Sequence, residues 1–465
     1  RNQTSSPHFW NANVNYNEFI DSKGYIFYES TDLTDFNQNY YISEDGLPIT
    51  DSLDLETLIL TNTNYDDFYK EEIKLVLGRV DIDYGDITIY VNKTLDGTTI
   101  GDIIEVEGID YTFGTDIFSN ITDALVMAVA MDVIYIFEGV YSEDITINTD
   151  DITFVSANQN LHPLLNTRFN EAELTGKITL NGTKNTVFNG LKFTGSAQIS
   201  SEGVIDGLSF KNNIVNTSLT FMSGGKPDGF IKLISLSDEL AHKNIILTNN
   251  QFTYTGSSAP RYLLASNIEN VFVVGNEFMS SDSSFTDVIR ITGTNFTNYD
   301  GIGLTGKFYV YSNKFSDVGQ APIFVTNYND VDVKIVNNDF VNIITTAARF
   351  RGTTDQAGDS SFIFNYNKLD ISTVDNGYIM AGLRIEQGNM PYLEAHYNHF
   401  LTIPFSYYFG VPTDAILDAR YNYYGAEVDN IPNADKMPEL SDYTEYYTSE
   451  GDLPIYSVNV AINMD

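Results

Sequence analysis

The stretch IVNNDF, residues 335–340, is one copy of a motif that recurs through most of the chain. Other copies are LTNNQF (247–252), VVGNEF (273–278), VYSNKF (310–315), AHYNHF (395–400) and RYNYYG (420–425). The marker asparagines stand 24 to 37 residues apart, at Asn158, Asn189, Asn213, Asn250, Asn276, Asn313, Asn338, Asn367, Asn398 and Asn422. Periods of about 20–50 residues are typical of stacked architectures, in which each repeat buries its apolar face against the next.

Each repeat contains a strand bordered by turn residues. Polar and apolar residues alternate in Asp332-Val333-Lys334-Ile335-Val336, as expected for a strand with one buried face. A second apolar segment follows in several repeats, and no long helical period lies between the strands. The pattern therefore predicts an all-β coil of parallel strands, with one turn of the coil per repeat.

The motif also predicts where its asparagine and aromatic residues lie. Asparagine tolerates left-handed backbone angles and can bond the neighbouring backbone, so we expect it at the bend after each strand. Stacked turn upon turn, these side chains would form an amide ladder, made of Asn213, Asn250, Asn276, Asn313, Asn338, Asn367, Asn398 and Asn422. We expect the residue two positions later to face the core, at Phe252, Phe278, Phe315, Phe340, Leu369, Phe400 and Tyr424.

A different pattern precedes the repeats. One face of a predicted helix carries Phe118, Ile121, Leu125 and Ala128, and Ser119 is the expected N-cap. A buried strand over 133–137 follows, and then the segment Gly139-Val140-Tyr141-Ser142-Glu143.

That order of helix, strand and Gly-x-Tyr-x-Glu segment resembles the N-terminal end of the pectin-lyase-like superfamily, and the chain resembles tandem β-helix bacterial surface proteins. The resemblance implies a right-handed, single-stranded parallel β-helix over residues 91–425, with an N-terminal capping helix that covers its first open edge. It does not define the chemistry, because the superfamily includes lyases, hydrolases, esterases, spikes and adhesins.

A longer repeat suggests how the rest of the chain is organised. YYISEDGLPI (40–49) matches YYTSEGDLPI (446–455), 406 positions later, and a marker asparagine precedes both, at Asn17 and Asn422. We therefore predict that residues 1–50 are the tail of a preceding β-helix-like unit and that 51–90 form a strand-rich connector. Residues 426–465 would be an exit segment that repeats the 17–50 region, in a longer protein built from such units.

Composition excludes several functional classes. The chain is 42% hydrophobic and 13% aromatic, as in a folded protein, and its formal net charge is −38. So acidic a surface repels nucleic-acid phosphates and anionic membranes. There is no cysteine, which excludes disulfides and thiolate chemistry, and no apolar run is long enough to insert into a membrane.

Catalytic signatures of the β-helix enzymes are also missing. The sequence has no Gly-His-Gly, no Arg-x-Pro-x-x-Arg and no Arg-Pro-Trp, and its single tryptophan is Trp10. Lyases that use lysine and arginine with calcium have a looser pattern, which these absences leave open.

Arginines form the first candidate site. Arg290, Arg349 and Arg384 occupy equivalent positions in the second apolar segments, with Arg351 beside them, and the chain has only nine arginines. Stacked guanidinium groups could bind the carboxylates or sulfates of an acidic polysaccharide. The simpler expectation is that they pair with the nearby acidic residues Asp287, Asp355 and Glu386.

Metal sites are a second possibility. Asp81, Asp83 and Asp86 alternate in an acidic loop that could hold calcium, although the loop does not complete an EF-hand pattern. His396 and His399 flank a marker asparagine, with Glu394 close by, but histidines in such positions are usually ordinary surface residues.

We therefore expect a non-catalytic extracellular or cell-surface β-helix repeat with a structural or adhesive role in a sheath, fibre or similar assembly. Its partners would be copies of itself or neighbouring repeat units. A β-helix that binds an acidic polysaccharide, or cleaves one as a lyase, stays open as the alternative.

Overall fold

The computed structural model describes most of the repeat region. The described ranges are 88–106, 108–159, 161–217, 229–235, 240–254, 261–280, 287–293, 302–318, 321–352, 360–371, 381–386, 392–402, 409–411 and 416–424, with eight two-residue strands outside them. The chain forms two compact units, residues 1–82 with 455–465, and residues 83–454.

The second unit contains three long sheets in which neighbouring strands run parallel. Sheet 1 has 14 strands, in the spatial order Ile117–Phe118, Ile89–Val91, Val133–Ile136, Thr153–Val155, Lys184–Asn189, Asp206–Lys211, His242–Thr248, Ile268–Val274, Leu304–Tyr311, Tyr328–Val336, Ser361–Asn365, Tyr392–Glu394, Ile416–Asp418 and Ser441–Asp442. Sheet 2 has 12 strands, Gly139–Tyr141, Ala172–Leu174, Lys192–Gly195, Ile214–Thr217, Gln251–Tyr254, Glu277–Ser280, Lys314–Ser316, Asp339–Ile343, Lys368–Ile371, His399–Thr402, Asn422–Tyr423 and Tyr446–Tyr447. Sheet 3 has 10 strands, Ile145–Ile147, Lys177–Asn181, Gln198–Glu202, Gly229–Ile234, Arg261–Ser266, Ile289–Thr292, Ile323–Thr326, Thr346–Arg351, Ala381–Ile385 and Phe409–Gly410.

Successive strands visit the three sheets in turn, so that each cycle of three strands is one turn of a coil. This is a parallel β-helix, and the predicted fold class is confirmed. Each turn has three strands where the sequence suggested at least two, because short strands of sheet 2 follow directly after the marker asparagines. The apolar side chains of all three sheets meet in one continuous core along the coil.

The first unit also contains parallel pairs. Glu18–Phe19 pairs with Tyr40–Tyr41, Phe27–Tyr28 with Ile59–Leu60, and Thr34–Asp35 with Thr63–Asn64. These pairs repeat in the same order along the chain, as in two turns of a coil. Ile59–Leu60 and Thr63–Asn64, within the region predicted as a connector, thus pair with the segment before it.

The eight asparagines from Asn213 to Asn422 form a continuous hydrogen-bonded ladder. Asn313 shows the pattern, because its backbone N–H and its Nδ2 both donate to Asn338 Oδ1, each at 3.0 Å. Its Nδ2 also donates to Val273 O, at 2.8 Å. All eight side chains are 2% exposed or less, so the ladder satisfies polar groups that would otherwise be buried without partners.

The left-handed bend lies one residue earlier than the sequence predicted. The residues immediately before the eight ladder asparagines have φ between 53° and 66°, and they are Asn212, Asn249, Gly275, Ser312, Asn337, Tyr366, Tyr397 and Tyr421. The marker asparagines instead point inward. Asn158 and Asn189 make other contacts, and Leu191 donates its backbone N–H to Asn213 Oδ1, at 2.8 Å, where the ladder begins.

The aromatic residues after the ladder stack along the core, as predicted. Phe252, Phe278, Phe315 and Phe340 are fully buried, and consecutive rings lie 4.8 to 5.0 Å apart with interplanar angles of 11° or less. Leu369 interrupts the stack in the next turn, and it resumes with Phe400 and Tyr424, 5.2 Å apart.

A helix at the N-terminal end of the coil explains the Gly-x-Tyr-x-Glu segment. Helix α1, Ile121–Met127, is capped by Asn120 and not by Ser119, because Asn120 Oδ1 accepts from the backbone N–H of Asp123. Glu143 adds a second cap, accepting from the N–H groups of Ile121 at 2.7 Å and Thr122 at 2.8 Å. An acidic side chain is favourable there because the first helical N–H groups lack partners within the helix.

Other elements at this end are short. A 3₁₀ helix spans Lys93–Leu95, and an antiparallel hairpin pairs Ile103–Val106 with Ile109–Thr112. None of the helices in the described ranges has the length and apolar character needed to cross a bilayer.

A buried histidine makes the stability of the coil dependent on pH. His242 is fully buried in sheet 1, and its Nδ1 accepts from the N–H of Ile205, at 3.1 Å. Burial lowers the pKa of His242 from 6.5 to about 4. Because the unfolded chain binds the proton at a higher pH, stability is unaffected above pH 6.5 and falls as the pH decreases from about 6.5 to 4, by about 3 kcal/mol in total.

We expect this loss to be absent in His242→Asn, whose amide oxygen can still accept from Ile205 without titrating. Urea unfolding of both proteins between pH 7 and 4 measures the difference. Carboxylates contribute equally to both proteins, so parallel stability curves would show that His242 does not carry the effect.

Candidate binding site: an arginine strip on sheet 3

Four side chains lie in register on adjacent strands of sheet 3. Arg290 pairs with Phe324, Phe324 with Arg349, and Arg349 with Arg384. Both neighbouring guanidinium groups stack on the ring of Phe324, with the Cζ of Arg290 3.8 Å and the Cζ of Arg349 4.6 Å from its centroid. A flat guanidinium group stacks well on an aromatic face, and each such contact stabilises by about 0.5–2 kcal/mol. We call these four residues, with Arg351, the arginine strip.

The arginine strip makes ion pairs at both ends. Arg290 Nη1 lies 3.1 Å from Asp287 Oδ2, and Arg261 approaches the same oxygen at 3.3 Å. Of the acidic partners expected from the sequence, Asp287 and Glu386 thus contact the arginines, and Asp355 lies outside the described residues.

Glu386 contacts more than one arginine. Its Oε1 lies 2.6 Å from Arg349 Nη2 and 2.8 Å from Arg384 Nη2, and its Oε2 lies 3.7 Å from Arg351 Nε. The side chains of Arg349 and Arg384 are 26% and 24% exposed. Burial lowers the pKa of Arg384 against the opposing effect of Glu386, and the charges of Arg349 and Arg351 lower it further. These half-buried guanidinium groups therefore form a local concentration of positive charge on a very acidic chain.

The predicted metal sites gain no support from the described residues. Asp81, Asp83 and Asp86 lie outside those residues. Within the described ranges, no three His, Asp or Glu side chains are grouped as metal ligands would be. His396 has Glu394 Oε1 3.5 Å from Nδ1 and Asp418 Oδ1 2.9 Å from Nε2. The two carboxylates lie against different ring nitrogens, so this arrangement links strands and does not converge on one ion.

The Asp418 carboxylate is contacted by both Arg420 and His396. Burial raises its pKa, but hydrogen bonds from Arg420 and His396 outweigh burial and hold the pKa of Asp418 well below its usual range. Arg420 binds it through two nitrogens, with Nε at 2.9 Å from Oδ1 and Nη2 at 2.7 Å from Oδ2. Such a fork-shaped pair is among the stronger polar contacts in proteins.

A tyrosine column near the C-terminal end of the coil was missed in the sequence. Tyr366, Tyr397 and Tyr421 hold the left-handed position before three successive ladder asparagines, with φ of 57° to 61°. Their rings stack at 4.7 and 5.5 Å, with interplanar angles of 17° and 13°. Bulky residues rarely adopt such angles, and the stacking offsets part of the strain. The repeated Tyr-Asn dipeptide was the signal that could have revealed the column.

The chain matches no family model, no curated protein and no solved structure.

Proposed function

We propose that this chain is a non-catalytic structural or adhesive β-helix repeat of an extracellular or cell-surface assembly, such as a sheath or fibre. The observation that carries the proposal is a strand pairing that occurs twice. Glu18–Phe19, after the marker Asn17, pairs in parallel with Tyr40–Tyr41, and Asn422–Tyr423 pairs in parallel with Tyr446–Tyr447. The two Tyr-Tyr strands begin the matching ten-residue sequences, so a repeated sequence coincides with a repeated local fold.

The physics of the coil suits such a role. Each turn contacts only its neighbours, so units can be added along the axis without a new core. The helix, Tyr141 and Glu143 at the N-terminal end support kinship with the pectin-lyase-like superfamily, as the sequence suggested. A net charge of −38 makes separate copies repel, and salt or divalent cations would reduce that repulsion.

Electron microscopy of the native protein, with calcium and then with chelator, tests the proposal. We expect ordered arrays or fibres with an axial repeat that corresponds to one unit of 406 residues. Loss of the arrays on chelation would place calcium at the junctions between units. Single dispersed particles under both conditions would contradict a structural role.

Binding or cleavage of an acidic polysaccharide is the second candidate, favoured by the clustered guanidinium groups of Arg349 and Arg384. A lyase also needs a group that accepts the proton removed from the sugar. The carboxylate that the described residues place against these arginines, Glu386, is already engaged by both of them, which favours binding over catalysis.

A further inference from the structure

Within the residues that the structure describes, two arginines of the strip, Arg349 and Arg384, pair with a single carboxylate, that of Glu386. Arg349 and Arg384 share one oxygen of Glu386, and their side chains are 26% and 24% exposed. Partly desolvated charges are costly unless paired. In a chain with 63 acidic and 25 basic residues, a one-to-one pairing would have been easy to supply. The arrangement therefore favours an additional anion at this position.

The antiparallel hairpin at the N-terminal end of the coil has the opposite imbalance. Glu105 lies directly opposite Asp110, on the same face of the hairpin, and both are exposed. Neither makes an ion pair within the part of the chain that the structure describes. Like charges in directly opposed positions destabilise a strand pair. On the same face, Ile103 is 60% exposed, so the surface combines two unbalanced carboxylates with an apolar residue.

We infer that the hairpin of one copy docks on the arginine strip of a second copy, with Glu105 and Asp110 bound to Arg349 and Arg384. The inference rests on the proposed structural role, and names the contact between copies. The spacings agree, because opposed side chains in a strand pair lie about 5 Å apart and Arg349 and Arg384 lie on adjacent strands, about 4.8 Å apart.

The two surfaces lie at different places on the same chain, so the contact is heterologous. A contact of this kind leaves one hairpin and one strip unused at the two ends of any open chain of copies, and growth continues unless a ring closes. Carboxylate–guanidinium pairs weaken as salt screens them. The same salt also weakens the repulsion between the acidic bodies, so we expect assembly to be strongest at an intermediate ionic strength of about 0.1 M, where the screening length is about 10 Å.

Sedimentation velocity of two double variants tests the contact. Glu105→Gln with Asp110→Asn neutralises the hairpin, and Arg349→Gln with Arg384→Gln neutralises the strip. We expect each variant alone to associate about tenfold or more weakly than the native protein, as for other close interfacial charge pairs. An equimolar mixture should form a one-to-one complex that grows no further, because one variant has an intact hairpin and the other an intact strip.

Circular dichroism of each variant shows whether the coil is intact, and Glu173→Gln, which removes a carboxylate paired to Lys192 in sheet 2, is the matched control. Unchanged self-association of both double variants, or no association of the native protein at any ionic strength, would overturn the inference. Arrays seen in the microscope with both variants would overturn it and leave the structural role standing. Strip-dependent binding of dextran sulfate without self-association would assign the strip to an anionic glycan.

Discussion

Replacing Asn313 with alanine is expected to lower the free energy of unfolding by about 3–4 kcal/mol. Asn313 lies in the middle of the amide ladder and is 2% exposed. Its Oδ1 accepts from both the backbone N–H and the Nδ2 of Asn276, at 2.9 and 3.0 Å. Alanine removes this acceptor, so the buried backbone N–H of Asn276 loses the side-chain oxygen to which it donates. It also removes the bond from Asn313 Nδ2 to Val273 O.

Urea unfolding monitored by circular dichroism measures the effect, with Asn181→Ala as the control. Asn181 also donates from its side-chain amide to another asparagine, Asn148, at 2.8 Å, but that bond is exposed. Water replaces an exposed bond, so the control should lose no more than about 0.5 kcal/mol. Equal losses in the free energy of unfolding at the two positions would mean that the buried ladder bonds stabilise the protein no more than an exposed bond does.

The ladder could be predicted from the sequence because its asparagines recur at a nearly constant position relative to strand and aromatic residue. The residue in the left-handed conformation could not be identified in the same way. In Asn212-Asn213 and Asn337-Asn338 both residues are asparagine, and either of the two could adopt the positive φ angle. Only the hydrogen bonds distinguish the two asparagines, because the side chain of the second must point inward to bond the ladder asparagine of the next turn.

The arginine strip was predicted in part. Alignment of the second apolar segments placed Arg290, Arg349 and Arg384 in one column and suggested Asp287 and Glu386 as partners. It did not show that two arginines share one oxygen, because side-chain reach across strands is a three-dimensional property. The opposed carboxylates of the hairpin were missed for the same reason, since Glu105 and Asp110 become neighbours only when the two strands pair.

Replacing Phe315 with alanine should have the largest effect on stability of any substitution considered, a loss of about 4–5 kcal/mol. Phe315 is fully buried, and its ring stacks on Phe278 and on Phe340, each at 5.0 Å. Alanine leaves a cavity that rigid neighbouring turns cannot fill, because strands on both sides hold their positions through the backbone ladders. Two stacking contacts, each worth about 0.5–1.5 kcal/mol, disappear as well.

Phe315→Leu separates the loss of volume from the loss of aromatic stacking. The column already contains Leu369 in a later turn, in register with Phe340 and Phe400, so leucine fits the local geometry and keeps most of the volume. Its cost should be about 1–3 kcal/mol, from the two lost stacking contacts. Denaturant unfolding of both variants measures the difference in the free energy of unfolding.

The cavity at Phe315 should also change how cooperatively the coil unfolds. Since each turn is stabilised only by its neighbours, a cavity at Phe315 should weaken the coupling between the coil before it and the coil after it. Phe315→Ala should therefore unfold over a broader range of denaturant than Phe315→Leu. Equal midpoints and equal widths for the two variants would mean that the core is loosely packed at this turn.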